Sequence, residues 1–195
     1  MPRRQSGPPR SDDEVDPDGS GAGAGAAERT DVAVFDVDGV LADVTHRRHF
    51  IEGRRNWPAF FAAAADDTPL ATGIELARAA GERGLDLVYL SGRPEHLRAV
   101  TVEWLRDHDV PDGQLLLRPQ RDRSPATDLK LRLLRRLTTT RRIVFFVDDD
   151  TDVVDAVRSA NPTLVHGECV VADWQPGGAR ARRALRHAQQ DAGAT

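Results

Sequence analysis

Asp31-Val32-Ala33-Val34-Phe35-Asp36-Val37-Asp38-Gly39-Val40-Leu41 is an apolar, β-rich run that ends in two aspartates one residue apart and then a glycine. Successive side chains of a strand point to opposite faces, so Asp36 and Asp38 share a face if the strand continues through them. Gly39 predicts a bend just there. An open α/β sheet takes its ligands at the C-terminal ends of its strands, which is where these carboxylates fall. Held close together they repel, so a cation is the expected third member. Taken alone, Asp-X-Asp-Gly also reads as a turn after a strand. An EF-hand loop does not fit: counted from Asp36, its sixth position should be glycine and its twelfth glutamate, and the chain has Leu41 and Arg47.

Downstream, the pattern of a strand ending in reactive side chains recurs. The segment 43–55 is polar, and Asn56 is placed to cap a short helix ending near residue 65. Thr68 is a candidate cap for a helix to about residue 83, with Pro69 in its first turn and Ile74, Ala77 and Leu76 or Ala80 on its apolar side. Residues 85–90 form a strand that ends in Ser91-Gly92-Arg93-Pro94, read as a strand-to-helix turn. A helix over 95–107 buries Leu97, Val100, Trp104 and Leu105. Residues 114–117 are a third strand, and a helix over 128–137 carries Lys130 in its first turn, with Asp128 a possible cap. Residues 142–147 are a fourth strand running into Asp148-Asp149-Asp150, and a helix opens at Thr151 or Asp152. Residues 163–165 and 169–172 are short last strands. This alternation predicts an α/β fold: a three-layer α/β/α, Rossmann-like parallel sheet with a minimal insert. Right-handed crossovers then bring Asp36, Asp38, Ser91, Arg93 and the 148–150 aspartates to one sheet edge.

The bulk numbers agree with one catalytic-sized unit. The chain has 195 residues and a formal net charge of -4, so no global basic field points to nucleic acid. A single cysteine, Cys169, excludes a disulfide framework and a cysteine zinc site and fits a reducing cytoplasm. No apolar run reaches membrane length, and no signal peptide is visible. Residues 1–29 are rich in Pro, Gly, Ser, Ala and Asp and predict a disordered tail. The folded unit is expected over 30–175 with a small cap-like insert at 43–67, followed by an arginine-rich helix or tail at 176–195. Lys130 is the only lysine in the chain, which marks its position.

Asp36-Val37-Asp38-Gly39-Val40, a strand ending in Ser91, then Lys130, then an aspartate cluster after a strand together resemble the four motifs of the haloacid dehalogenase-like phosphatase superfamily. Ser91-Gly92-Arg93, the stretch from Asp148 through Val154, and Arg47 shortly after the first motif are most similar to the 3′-phosphatase domain of phage-type polynucleotide kinase. No Gly-x-x-x-x-Gly-Lys-[Ser/Thr] loop occurs, so no kinase half is expected within this sequence. The resemblance implies a hydrolase acting through an aspartyl-phosphate. Asp36 is then the nucleophile, and Asp38 the acid that protonates the leaving alkoxide and next takes a proton from water. Mg²⁺ would be held by Asp36, the Asp38 backbone carbonyl and Asp149, with Asp148 as support or as the alternative ligand. Ser91, Gly92, Arg93 and Arg47 would hold phosphoryl oxygens and Lys130 would neutralise their charge.

Each motif also has a plain reading. The 148–150 aspartates can cap a helix, Lys130 can be a solvated helix residue, and Arg47 can be a surface charge beside His46, Arg48 and His49. The histidines show no zinc spacing, and Trp57, Phe60 and Phe61 read as a small core under the insert rather than a base-stacking platform. The insert predicts one small helix and no sheet, hence no large lid, and an open site admits a bulky phosphorylated substrate. Nucleic-acid 3′ ends, a phosphoprotein, small nucleotide or sugar phosphates, and an idle binding module on the same fold all remain open at this level. No obligate protein partner and no membrane association is indicated.

Overall fold

Strand β1 (Thr30–Phe35) is the centre of the molecule, and both of its faces are covered. Val32 and Val34 point to one side and Ala33 and Phe35 to the other, all fully buried. That is why the strand reads as a continuous apolar run instead of an alternating one. In the computed structural model, which describes residues 29–160 and 163–176, helices and strands alternate after β1. They are β2 (Ala42–Asp43), α1 (Trp57–Ala62), β3 (Thr68–Pro69), α2 (Ala71–Glu82), β4 (Asp86–Pro94), α3 (Arg98–Asp107), β5 (Gln114–Arg118), α4 (Ala126–Leu137), β6 (Arg141–Asp148), α5 (Thr151–Ser159) and β7 (Glu168–Val171). The expected N-terminal tail and arginine-rich C-terminal helix lie outside the described residues.

The main sheet has five strands in the order β5-β4-β1-β6-β7, every neighbouring pair parallel. Ile74 and Ala77 of α2 and Trp104 and Leu105 of α3 pack with Ala33, Phe35 and Tyr89 on one face. Leu134 of α4 and Val153, Val154 and Val157 of α5 pack with Val32, Val34 and Phe146 on the other. This is the expected three-layer α/β/α sandwich. Because all strands run the same way, β1, β4 and β6 deliver their C-terminal residues to one edge.

Several local expectations change. Thr68 and Pro69 do not open a helix; they pair with Ala42 and Asp43 in a two-residue antiparallel ribbon that ties off both ends of the insert. Helix α2 starts two residues later, and its Gly73 sits so close to the Val40 carbonyl that a Cβ there would be 1.9 Å from the oxygen. The insert thus has a small sheet of its own. Asn56 does cap α1, accepting from the Ala59 amide at 3.1 Å. Asp128 does not cap α4, which begins at Ala126; it lies in the first turn, where its charge complements the helix dipole. Residues 91–94 extend β4 rather than forming a turn, because Pro94 regains pairing with Arg118 after an irregularity. Residues 163–165 form no strand; the His166 amide alone reaches the Ile143 carbonyl. No helix among the described residues is long and apolar enough to cross a membrane.

Candidate active site

Strand β1 stops at Phe35, and the chain turns so tightly that the Val37 carbonyl accepts from both the Leu41 and Ala42 amides at 2.9 Å. Gly39 makes the turn at φ +83°, a conformation that favours glycine. A Cβ on Gly39 would lie 2.4 Å from Asp149 Oδ2 and 2.8 Å from Gln175 Oε1. The bend therefore separates what a straight strand would have aligned. Asp36 and Asp38 both reach the sheet edge, but each is bound to a different set of cations.

Asp36 belongs to the first set. Lys130, rising from α4, donates from Nζ to Asp36 Oδ2 and to Asp148 Oδ2, each at 2.6 Å. Asp148, at the end of β6, also accepts from the Asp150 amide at 3.0 Å, so both of its oxygens are engaged. Asp36, Asp148 and Asp149 are buried, and one oxygen of each lies within 4.8 Å of the others. Burial raises the Asp36 carboxyl to about 7, against the pull of Lys130 and with the push of Asp148. Burial, then Asp148 and Asp36, raises Asp149 well above the carboxylate range. Lys130 keeps its charge: Asp148 and Asp36 outweigh its own burial and hold its ammonium protonated. Three buried carboxylates share one ammonium, so without a cation they hold protons more tightly than usual, and hard oxygen donors at this spacing suit Mg²⁺ in place of those protons.

Asp38 belongs to the second set. Its Oδ1 accepts from Arg93 Nε at 2.9 Å, Arg93 Nη2 at 2.6 Å and Arg47 Nη2 at 2.9 Å. Asp67 completes the set, accepting from Arg47 Nε, Arg47 Nη2 and Arg93 Nη2 at 2.6 Å each, and meeting His46 Nε2 at 2.9 Å. Arg47 and Arg93 have no solvent exposure at all. The Arg47 guanidinium also lies 4.2 Å above the Phe60 ring. Burial alone would raise Asp38, but Arg93 and then Arg47 overcome it and hold its carboxyl down at about 2. Arg47 is therefore no surface charge, and both arginines are engaged by aspartates in this arrangement.

Ser91 is buried directly after the β4 residues that pair with β1, and its Oγ accepts from the Arg93 amide at 3.1 Å. Gly92 lines a cavity together with Asp38. Asp36, Lys130, Asp148 and Asp149 thus form one charge cluster and Asp38, Arg47 and Arg93 the adjoining one, with Ser91 and Gly92 next to Arg93 in β4. Three further participants have no counterpart in the sequence motifs. Asp67 sits in a polar stretch that reads as a loop; the only signal for it is that two buried arginines need more than one counter-ion. Trp104 of α3 holds the Asp67 carbonyl through its indole N–H at 2.8 Å. Gln175, beyond the last strand, is 3% exposed, and its Oε1 is buried without a hydrogen-bond partner among the described residues. It is carried there by Trp174, whose indole N–H donates to the Val40 carbonyl at 2.9 Å. No sequence pattern marks it.

A parallel α/β sheet with an Asp-x-Asp loop, a lysine and an aspartate pair at one edge defines a phosphatase of the haloacid dehalogenase-like class. More narrowly, residues 30–166 match the family model of the polynucleotide kinase PNKP phosphatase domain, and the chain belongs to that family. Among solved structures, a chain of the Pnkp1/Rnl/Hen1 complex superposes with a TM-score of 0.60 at 21% identity, covering 76% of this chain and 47% of that one. The chain therefore spans about half the length of that relative. The class C acid phosphatase of Bacillus anthracis with tungstate bound superposes at 0.56 with 18% identity, covering 83% and 80% of the two chains. A family IA, variant 3 hydrolase from Entamoeba histolytica superposes at 0.52 with 10% identity, covering 85% and 100%. The comparison with curated protein sequences returned no match.

Proposed function

We propose that the chain is a Mg²⁺-dependent phosphomonoesterase that removes terminal phosphates, 3′ ends of nucleic acid foremost, through an aspartyl-phosphate on Asp36. The catalytic unit in this reading is 30–175, with 43–67 as its cap. The observation that carries it is the meeting of Asp36, Lys130, Asp148 and Asp149, from three elements distant in sequence, in one buried cluster.

Asp36, Asp149 and the Asp38 backbone carbonyl would hold the metal, and Asp148, tied twice to its neighbours, would support them. When bound, Mg²⁺ supplies charge neutralisation for the phosphoryl group and keeps the nucleophile ionised. Lys130 fixes the direction of the Asp36 carboxylate and faces the oxygens that gain charge during transfer. Ser91 and Gly92 offer donors to the same oxygens.

Asp38 and its two arginines form a coupled device. With no substrate, Asp38 is ionised and clamped, which is the wrong state for a general acid. A phosphate dianion near this pair competes for both guanidiniums. As they turn toward it, Asp38 loses the charges that hold its carboxyl at about 2 and becomes able to carry the proton that the leaving oxygen needs. Arg47 and Arg93 are thus phosphate ligands only at the expense of their resting partner.

The nucleic-acid preference is supported by the family's own name and by the cavity that reaches Asp38 from outside. The test is a substrate panel with and without Mg²⁺, containing an aryl phosphate, mononucleotides, sugar phosphates and 3′-phosphorylated oligonucleotides. Metal-dependent turnover with preference for the oligonucleotides is expected. Preference for sugar phosphates would reject the substrate assignment, and phosphate binding without any turnover would reject the enzyme mechanism.

A further inference from the structure

The mouth of the site is shaped for something flat and aromatic. A cavity of about 640 Å³ starts at Asp38 and Gly92, and its walls come from α1, the end of β4 and the loop after β5. That size suits a small organic group. Residues four apart on a helix lie on one face, and on α1 that pair is Trp57 and Phe61. Their rings stack at 5.6 Å with 25° between planes, and both are half-buried in the cavity wall. Phe60 is 2% exposed and joins Val44 and Ile51 in the small core under the insert, where it also reaches the cavity wall. Trp57 and Phe61 pack against that core and, being only half-buried, leave part of their rings to the cavity. The rest of the lining is mixed, with Pro94 and Leu97 beside the polar His96, Arg118, Gln120, Asp122 and Arg123.

The position of the cavity relative to the chemistry decides what it takes. Asp38 is the group that faces the leaving oxygen, so whatever carries the phosphate extends from Asp38 outward into this space. A glycerol body has no flat face to lay on two aromatic rings, and a sugar offers only the C–H patch of one side. A nucleobase has a flat face, and stacking on aromatic side chains tolerates any base. Its polar edge would meet the guanidinium and amide groups of the lining.

We propose that Trp57 and Phe61 form a stacking platform for the nucleobase of the nucleoside that bears the scissile phosphate. This rests on the phosphatase reading above and names what that site recognises. The ligand chemistry is a nucleoside phosphate, whether a free mononucleotide or the end of a strand.

The test compares 3′-phosphorylated oligonucleotides that carry or lack the terminal base, together with free nucleoside 3′-monophosphates and glycerol phosphate. The readout is the ratio of kcat/KM with and without the base, taken within each protein so that general losses cancel. In the wild-type chain the base is expected to raise kcat/KM about tenfold or more, mainly through KM. In Trp57→Ala and in Phe61→Leu the ratio should fall toward one. A wild-type ratio of one, which needs no variant to measure, overturns the platform, as does a ratio that both variants leave unchanged. Turnover of glycerol phosphate separates the two levels: if it proceeds while the base has no effect, only the platform fails. If no ester is turned over, the phosphatase reading fails and takes the platform with it. The monophosphate arm shows whether the base is read from a free nucleotide or from a strand.

Discussion

Arg93 grips Asp38 with two nitrogens, Nε at 2.9 Å and Nη2 at 2.6 Å, and the same Nη2 reaches Asp67 at 2.6 Å. The proposed general acid and a residue outside every motif are thereby parts of one buried ion network. Two fully buried guanidiniums are tolerable only while both carboxylates are present. Asp67→Ala should cost about 3–5 kcal/mol of stability, the usual loss when one partner of a buried pair is removed. Urea midpoints of the wild type and variant measure it. A loss below about 1 kcal/mol, the level of a surface pair, would mean that Asp67 is dispensable to the network.

The depressed Asp38 carboxyl makes an acid-limb prediction. Its folded value, about 2, lies below the ordinary 3.8, so its contribution is present above the unfolded value and disappears as pH falls through 3.8 toward 2. The size is on the order of 2 kcal/mol. In EDTA, Asp38→Asn should flatten the loss of stability between pH 5 and 2, about those limits, relative to the wild type. Parallel acid limbs in the two proteins would contradict the assignment.

Gly39→Ala combines two faults. The residue sits at φ +83°, and the new Cβ would collide with the Asp149 carboxylate and Gln175. Turnover should fall at least a hundredfold, roughly the effect of small misplacements at a reacting centre. Circular dichroism should show the sheet intact. Wild-type activity in this variant would mean that Asp149 need not sit where it does.

Gln175 gives a prediction of opposite signs. Its Oε1 is buried and has no hydrogen-bond partner among the described residues, so Gln175→Leu removes a desolvated polar atom and should leave the metal-free chain as stable or slightly more so. The Gln175 Oε1 lies on the same side of Gly39 as the Asp149 carboxylate and, as an acceptor, is placed to orient a water beside that group. The same variant should therefore need more Mg²⁺ for half-maximal turnover. Melting temperatures in EDTA and an Mg²⁺ titration test the two halves separately; an unchanged titration would leave Gln175 a packing residue.

A feature of this molecule is legible in the sequence when its cause is local. The alternation that builds the sheet, the Asn56 cap and the strand-end positions of Asp36 and Asp148 depend on periodicity and propensity within a few residues. Lys130 stands out by being the sole lysine. The start of α2 falls later than its sequence suggests because Thr68 and Pro69 look like a helix opening, whereas tertiary pairing with Ala42 and Asp43 overrides that preference. Asp67 and Gln175 carry no local signal because their roles exist only through residues far away in the chain. Trp57 and Phe61 read as core from their clustering, and they do pack against Phe60, Val44 and Ile51; that they also line a cavity depends on residues 92–97 and 118–124, far away in the chain.

The central claim is that Asp36 becomes phosphorylated. Rapid acid quench of a single turnover, followed by peptide mass spectrometry, should find the mass of one phosphoryl group on the peptide containing Asp36, absent in Asp36→Asn and absent without Mg²⁺. Full turnover by Asp36→Asn, with no labelled peptide at any time point in the wild type, would contradict the account.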